Sequence, residues 1–149
     1  MNDQLLQKID EPRATSAGIG RVLIAVYGIL ALASLGRSVY QVVTKFDEAP
    51  VAYTLSALAA AVYVLATVAL VARGARWFRV AVFAIAFELV GVVVVGTLSV
   101  VDSALFPDDT VWSVFGRGYA FVPLVLPILG LLWLRRVARV RATENGGKR

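Results

Sequence analysis

Long apolar segments separated by short charged loops are the feature that most limits how this chain can fold. Three uncharged runs cover Val22–Gly36, Ala49–Ala72 and Gly118–Leu134, and a fourth apolar run, Val80–Val101, contains a single charge, Glu88. A helix of roughly 20 apolar residues crosses the hydrocarbon core of a bilayer. A lipid-exposed backbone must also satisfy its hydrogen bonds within its own segment. The sequence therefore predicts an all-α fold, a bundle of four transmembrane helices.

The positions of the charges set the limits of the predicted spans. The uncharged run before Arg37 is only about 22 Å long as a helix, too short to cross alone, so helix one must continue past this arginine. Pro123 and Pro127 are four residues apart on one face of helix four. They either kink the helix and free carbonyl groups or, more commonly, are tolerated by packing within the bundle. We predict spans at about 19–43, 51–71, 78–101 and 118–134, a polar N-terminal tail at 1–18 and a basic C-terminal tail at 135–149.

The distribution of basic residues predicts the orientation. Of the 15 Lys and Arg residues, only Arg37, Lys45 and Arg117 lie towards the loops after helices one and three, and the rest lie in the tails or between helices two and three. Short loops rich in Lys and Arg remain cytoplasmic. Both termini are therefore predicted to be cytoplasmic. The same distribution explains the positive charge as a determinant of membrane topology. We therefore expect a lipid bilayer around the chain and predict no nucleic-acid partner.

The composition limits the chemistry that the chain can perform. Cysteine and histidine are both absent, which removes thiol chemistry, the commonest general base and the commonest transition-metal ligand. No catalytic residue, metal site or cofactor is predicted. A cation site among the outer acids is a less favoured alternative, because their spacing matches no calcium-binding loop. These acids are Asp47, Glu48, Asp102, Asp108 and Asp109.

Glu88 is the first candidate for a functional residue. A carboxyl group inside a span is costly, normally faces the interior of the bundle, and suggests a functional site. Counting from the turn between helices two and three places Tyr63 at about the same depth as Glu88. A neutral Glu88 bonded to the Tyr63 hydroxyl would be a structural clasp. Proton or cation handling and ligand binding are the alternatives that the sequence leaves open.

Arg37 is the second candidate, and its partner is the question. By helical rise, Asp102 lies about 10 Å closer to the outer surface and Glu88 about 10 Å deeper. A long basic side chain extends towards the membrane surface, which favours Asp102. The sequence therefore predicts a structural ion pair between Arg37 and Asp102 in preference to a substrate contact.

Small residues predict where helix three packs. Ala81, Ala84, Glu88, Gly91 and Val95 share one helical face, and small side chains allow helix backbones to approach closely in lipid. We expect the first two alanines and the glycine to lie at helix–helix contacts. The loop before helix four is aromatic and is predicted to lie at the membrane surface, through Phe106, Trp112, Phe115 and Tyr119.

Several short stretches resemble a family of small four-helix integral membrane proteins of actinobacteria. They are Gly36-Arg37-Ser38-Val39-Tyr40-Gln41, residues 46–53, 88–92, 96–99 and 110–113, and the segment from Gly116 to Pro127. The resemblance covers about residues 21–134. It implies the four-helix fold and a location in a bacterial cytoplasmic membrane, and it carries over no activity.

Two functions from different classes follow. The favoured hypothesis is a non-enzymatic integral membrane protein, either an accessory or assembly subunit of a bacterial envelope complex or a small homo-oligomer. The alternative is a proton- or cation-coupled component for transport of a small solute, with Glu88 as the carrier and Arg37 at the outer entrance. Small multidrug transporters differ, because their carboxylate lies in helix one and their charge bias is weak.

Overall fold

Four long helices make up most of the chain. The computed structural model describes residues 3–146, with side chains for residues 17–146. Within that range the secondary structure is α-helix and short 3-10 helix, without a β-strand, so the prediction of an all-α fold is confirmed. The helices are α1 (Asp3–Thr44), α2 (Pro50–Val71), α3 (Ala75–Val101) and α4 (Val122–Gly146).

Three of these helices contain segments that are long and apolar enough to cross a membrane. They are Ala17–Thr44, Pro50–Val71 and Ala75–Val101. A fourth crossing is possible only as a bent pair, in which the 3-10 helix Ser113–Tyr119 meets α4 at 99°. The outward faces of the long helices carry large apolar side chains, for example Leu32 and Phe83, which are 74% and 73% exposed. The chain is therefore a multi-pass membrane protein with three or four crossings.

The fourth apolar segment departs from the predicted straight span at 118–134. Helix α4 begins only at Val122, because Ala120 and Phe121 adopt left-handed backbone angles, with φ of 53° and 60°. Pro123 lies in the first turn, where its missing N–H needs no helical partner, so it starts the helix and does not kink it. Pro127 lies inside the helix and is buried. The first residues of the predicted span, 118–121, therefore belong to a folded loop.

The two predicted tails continue the helices that adjoin them. Helix α1 already begins at Asp3, and α4 runs on through most of the basic tail to Gly146. Arginine, alanine and glutamine are good helix formers, so the change from apolar to polar residues does not end a helix. Residues 1–2 and 147–149 of the predicted tails lie outside the described residues.

The helices pack in the order in which they occur along the chain. Helix α2 follows α1, the three-residue turn 72–74 places α3 antiparallel to α2, and α4 lies against α3 and returns to α1. Where α4 meets α1, the Trp133 ring packs on Gly20. A Cβ at Gly20 would lie 2.7 Å from this ring. Ala81 and Ala84, on the predicted small-residue face of α3, are 1% and 2% exposed. The core is therefore built from close helix contacts around α3.

Candidate functional site: a polar cluster inside the bundle

Glu88 lies on the buried face of α3 and is 0% exposed. Its Oε2 atom accepts a hydrogen bond from the Tyr27 hydroxyl at 2.7 Å. Tyr27 belongs to α1 and is also fully buried. The bond therefore joins two helices that are separated by 61 positions in the sequence.

Tyr63 lies beside this pair, but its hydroxyl has another partner. The rings of Tyr27 and Tyr63 are 6.3 Å apart, centroid to centroid, and tilted by 48°. The Tyr63 hydroxyl accepts a hydrogen bond from Nε1 of Trp112 at 3.0 Å. It remains close enough to Glu88 to interact electrostatically, yet the Oε1 atom of Glu88 has no hydrogen-bond partner. The donor at 2.7 Å from Glu88 is therefore Tyr27, and the predicted partner Tyr63 lies within interaction range of the same carboxyl group.

Trp112 enters the bundle from the loop before α4. It is 1% exposed, so its ring packs against the helices and not against lipid. A Cβ on Gly91 would be 2.6 Å from the Trp112 ring. Because Gly91 has no side chain, it leaves room for this ring. Gly91 therefore packs against the Trp112 ring, whereas the sequence predicted contact with a helix backbone.

The segment that carries Trp112, residues 110–121, is here named the inserted loop. The Thr110 and Ser113 side chains bond to each other and to the loop backbone. The Val114 N–H donates to Oγ of Ser99 on α3 at 2.8 Å. Val114 and Phe115 have positive φ angles of 48° and 60°, a conformation that costs non-glycine residues about 1–3 kcal/mol each. The contacts with the bundle must therefore hold the loop in this shape.

Two polar contacts hold Asp108 and Asp109, the two residues immediately before the inserted loop. Nη2 of Arg37 donates to the backbone carbonyl of Asp109 at 2.6 Å, and the Tyr53 hydroxyl donates to Oδ2 of Asp108 at 2.5 Å. Arg37 therefore pairs with neither of its predicted partners, Asp102 and Glu88. Asp102 follows the last residue of α3 and is exposed, whereas the chain at Asp108 and Asp109 contacts α1 and α2.

A row of buried polar atoms runs along the contact between α1 and α2. Oγ of Ser34, Ser38 and Ser56 and Oε1 of Gln41 are buried without a hydrogen-bond partner. The three residues of α1 continue the face that carries Tyr27, because the intervals of seven, four and three residues keep one side of a helix. Sequence reasoning missed this row and Tyr27, although the same spacing of polar residues was visible in helix one.

Glu88, Tyr27, Tyr63 and Trp112 form the polar cluster of this apolar bundle. Its donors and acceptors are tyrosine, tryptophan and one carboxyl group. Among the side chains of residues 17–146, no group of three or more acidic, His or Cys side chains is placed to hold a metal ion. The arrangement can link helices through hydrogen bonds. With its one unpartnered carboxylate oxygen it can also accept a further proton or donor.

Comparison with protein-family models finds no match. No curated protein and no solved structure matches the chain either. The function must therefore be argued from the residues of this chain.

Proposed function

We propose that this chain is a non-enzymatic protein of a bacterial cytoplasmic membrane that serves as an accessory or assembly subunit of a larger envelope complex, or forms a small homo-oligomer. The observation that carries the proposal is the enclosure of Glu88. Its side chain is 0% exposed and hydrogen-bonded to Tyr27, as expected of a residue that stabilises the contact between two helices. The bacterial location rests on the family resemblance given above.

Hydrogen bonds in the polar cluster connect parts of the chain that would otherwise be held by apolar packing alone. The Tyr27–Glu88 bond links α1 to α3, and the Trp112–Tyr63 bond links the inserted loop to α2. In a membrane such bonds contribute about 0.6–2 kcal/mol each. A neutral Glu88 fits this role, because an ionised carboxyl group at this depth is costly. The cluster then serves to position the inserted loop at the outer end of the bundle.

The charges support an orientation with both termini in the cytoplasm. The turn between α2 and α3 and the end of α4 carry seven arginines: Arg73, Arg76, Arg79, Arg135, Arg136, Arg139 and Arg141. At the opposite end, Arg37 bonds to the carbonyl of Asp109 and Lys45 pairs with Glu48 at 3.7 Å. Because Lys and Arg are enriched in the cytoplasmic loops of membrane proteins, this distribution supports a cytoplasmic location for the end with the arginines.

Purification from native membranes in a mild detergent tests this function. We expect the chain to elute with a defined membrane-protein partner or as a defined homo-oligomer, measured by mass spectrometry and light scattering. Trp112→Leu, which removes the bond to Tyr63, should weaken the assembly if the inserted loop contributes to it. Trp77→Leu is the matched control, because Trp77 is 38% exposed and lies at the other end of α3. Recovery of the wild type as a monomer without partner contradicts the proposal.

A second candidate function is proton- or cation-coupled transport through Glu88. The row of unpartnered atoms at Ser34, Ser38, Gln41 and Ser56, together with Oε1 of Glu88, favours it, since polar atoms in a line can bind water and pass protons. Glu88→Gln separates the two functions. It keeps a donor and an acceptor, so a structural role predicts normal stability and a normal cellular phenotype.

Glu88→Leu is the companion variant. It leaves the Tyr27 hydroxyl without its acceptor and should lower the free energy of unfolding by about 1–2 kcal/mol. Under the transport hypothesis both variants abolish activity, because neither can ionise, while the glutamine variant stays stable. A stable Glu88→Gln protein with the phenotype of a deletion would therefore favour transport over the structural role.

A further inference from the structure

A cavity of about 430 Å³ lies between α2, α3 and α4, at the end of the bundle opposite the inserted loop. Ala69, Ala81 and Leu134 form its apolar floor, and Arg73 and Arg141 lie at its rim. Its volume lies within the range of about 300–1,000 Å³ that is typical of sites for small ligands. An apolar floor with a cationic rim fits a ligand that is itself amphipathic and anionic.

The side chains of Arg73 and Arg141 are both exposed. The guanidinium of Arg141 lies 5.4 Å from the centroid of the Phe78 ring, a cation–π contact that orients it. Neither Arg73 nor Arg141 forms an ion pair with another described side chain. Glu144 is the single carboxylate at this end among residues 17–146, against eight arginines. Among residues 17–146, the net charge at this end of the bundle is therefore positive.

The depth of the cavity places it at the surface of the bilayer. Helix α2 ends at Val71 and the chain turns at Arg73, while Trp133 lines the cavity on the side of α4. Tryptophan side chains concentrate where hydrocarbon meets head groups. Helix α3 also begins beside this rim, at Ala75, without a side-chain cap or an acidic residue in its first turn. Its first N–H groups add to the positive potential.

We propose that this cavity binds one anionic phospholipid from the surrounding leaflet. The phosphodiester lies between Arg73 and Arg141, and the upper part of an acyl chain lies along the floor at Ala69 and Leu134. Basic pockets between transmembrane helices bind the head groups of acidic lipids. The apolar floor distinguishes this site from one for free phosphate, because a free anion makes no use of it. The site is separate from the polar cluster around Glu88.

The test uses purified, delipidated full-length protein in a neutral detergent. Phosphatidylglycerol is titrated, and the number of retained lipids is counted by native mass spectrometry while the melting temperature is followed. We expect one tightly held phosphatidylglycerol per chain with a rise in melting temperature. Phosphatidylcholine and free glycerol phosphate at the same concentration should produce neither effect.

A pair of double variants of equal charge locates the site. Arg73→Gln with Arg141→Gln should weaken phosphatidylglycerol binding about 30-fold, since each basic residue near an anionic head group contributes several-fold. Arg76→Gln with Arg139→Gln is the matched control. These two arginines are exposed at the same end and do not line the cavity, so the variant should bind almost as the wild type does.

Three results would overturn the proposal. Equal weakening in both double variants would mean that diffuse charge attracts the lipid. Binding of glycerol phosphate as tight as that of phosphatidylglycerol would make this a site for free anions. Absence of any retained lipid on the wild type would mean that no lipid site exists. Should the cavity variant fail to fold, the single variant Arg73→Gln decides, because Arg73 is exposed and the cation–π contact with Phe78 belongs to Arg141.

Discussion

Substitution of Gly91 by alanine tests the position of the inserted loop. The added Cβ would lie 2.6, 2.9 and 3.0 Å from three atoms of the Trp112 ring, whereas carbon atoms in contact are separated by about 3.5–4.0 Å. The ring must therefore move by up to about 1 Å. It cannot do so freely, because it is 1% exposed and its Nε1 atom is bonded to the Tyr63 hydroxyl.

The expected cost combines three contributions. Overpacking of a filled core costs about 1–3 kcal/mol, and loss of the Trp112–Tyr63 bond adds about 0.6 kcal/mol. The higher helix propensity of alanine offsets about 1 kcal/mol. We therefore expect Gly91→Ala to lower the free energy of unfolding by about 0.6–2.6 kcal/mol.

The assay is reversible unfolding in mixed micelles, repeated in two backgrounds. Val93→Leu is the control, because Val93 is 45% exposed on the outer face of α3, and it should change stability by less than about 0.5 kcal/mol. In a Trp112→Ala background the ring is absent, so Gly91→Ala should be neutral or stabilising. An equal cost of Gly91→Ala with and without Trp112 would refute the packing of this ring on Gly91.

Three further predictions concern other contacts. Tyr27→Phe removes the donor to Glu88 and should lower the free energy of unfolding by about 1–2 kcal/mol, measured in the same unfolding assay; no loss would show that the bond does not stabilise the fold. Arg37→Gln should speed hydrogen exchange of the inserted loop, because the contact with the Asp109 carbonyl is lost. The control Arg117→Gln should not, because the Arg117 side chain is exposed. Equal exchange rates in the two variants would contradict the anchoring of the loop by Arg37. The chain has no native cysteine, so Ser103→Cys should react with an impermeant thiol reagent on intact cells and Ala142→Cys should not; the reverse pattern would invert the topology.

Much of the bundle could be predicted from hydrophobic runs, and the inserted loop could not. Helices one to three follow from the length of apolar sequence between charges. The loop depends on left-handed backbone angles at Val114, Phe115, Ala120 and Phe121. These residue types do not signal positive φ, and only the contacts of the folded chain select that conformation. Pro123 was visible in the sequence, but its place in the first turn depends on where the loop ends.

The partners of the candidate residues were harder to predict than the residues themselves. The burial of Glu88 follows from the cost of a carboxyl group in lipid. Helical rise gives depth but does not show which neighbour faces Glu88 across the bundle, so Tyr63 was chosen and Tyr27 was missed. Arg37 bonds to a backbone carbonyl at Asp109. Every residue carries such a group, so no residue type in the sequence could identify it.

Water access at the depth of Glu88 tests the central claim, that this carboxyl group is enclosed within the bundle. Val92 lies one turn further along α3 and is 0% exposed, so Val92→Cys places a reporter there while Glu88 and Tyr27 are retained. A thiol reacts as its thiolate, which requires water. We predict no modification by a small impermeant reagent during the time that fully modifies Ser103→Cys. Modification of Val92→Cys at a comparable rate would show a hydrated passage to Glu88 and contradict the structural role.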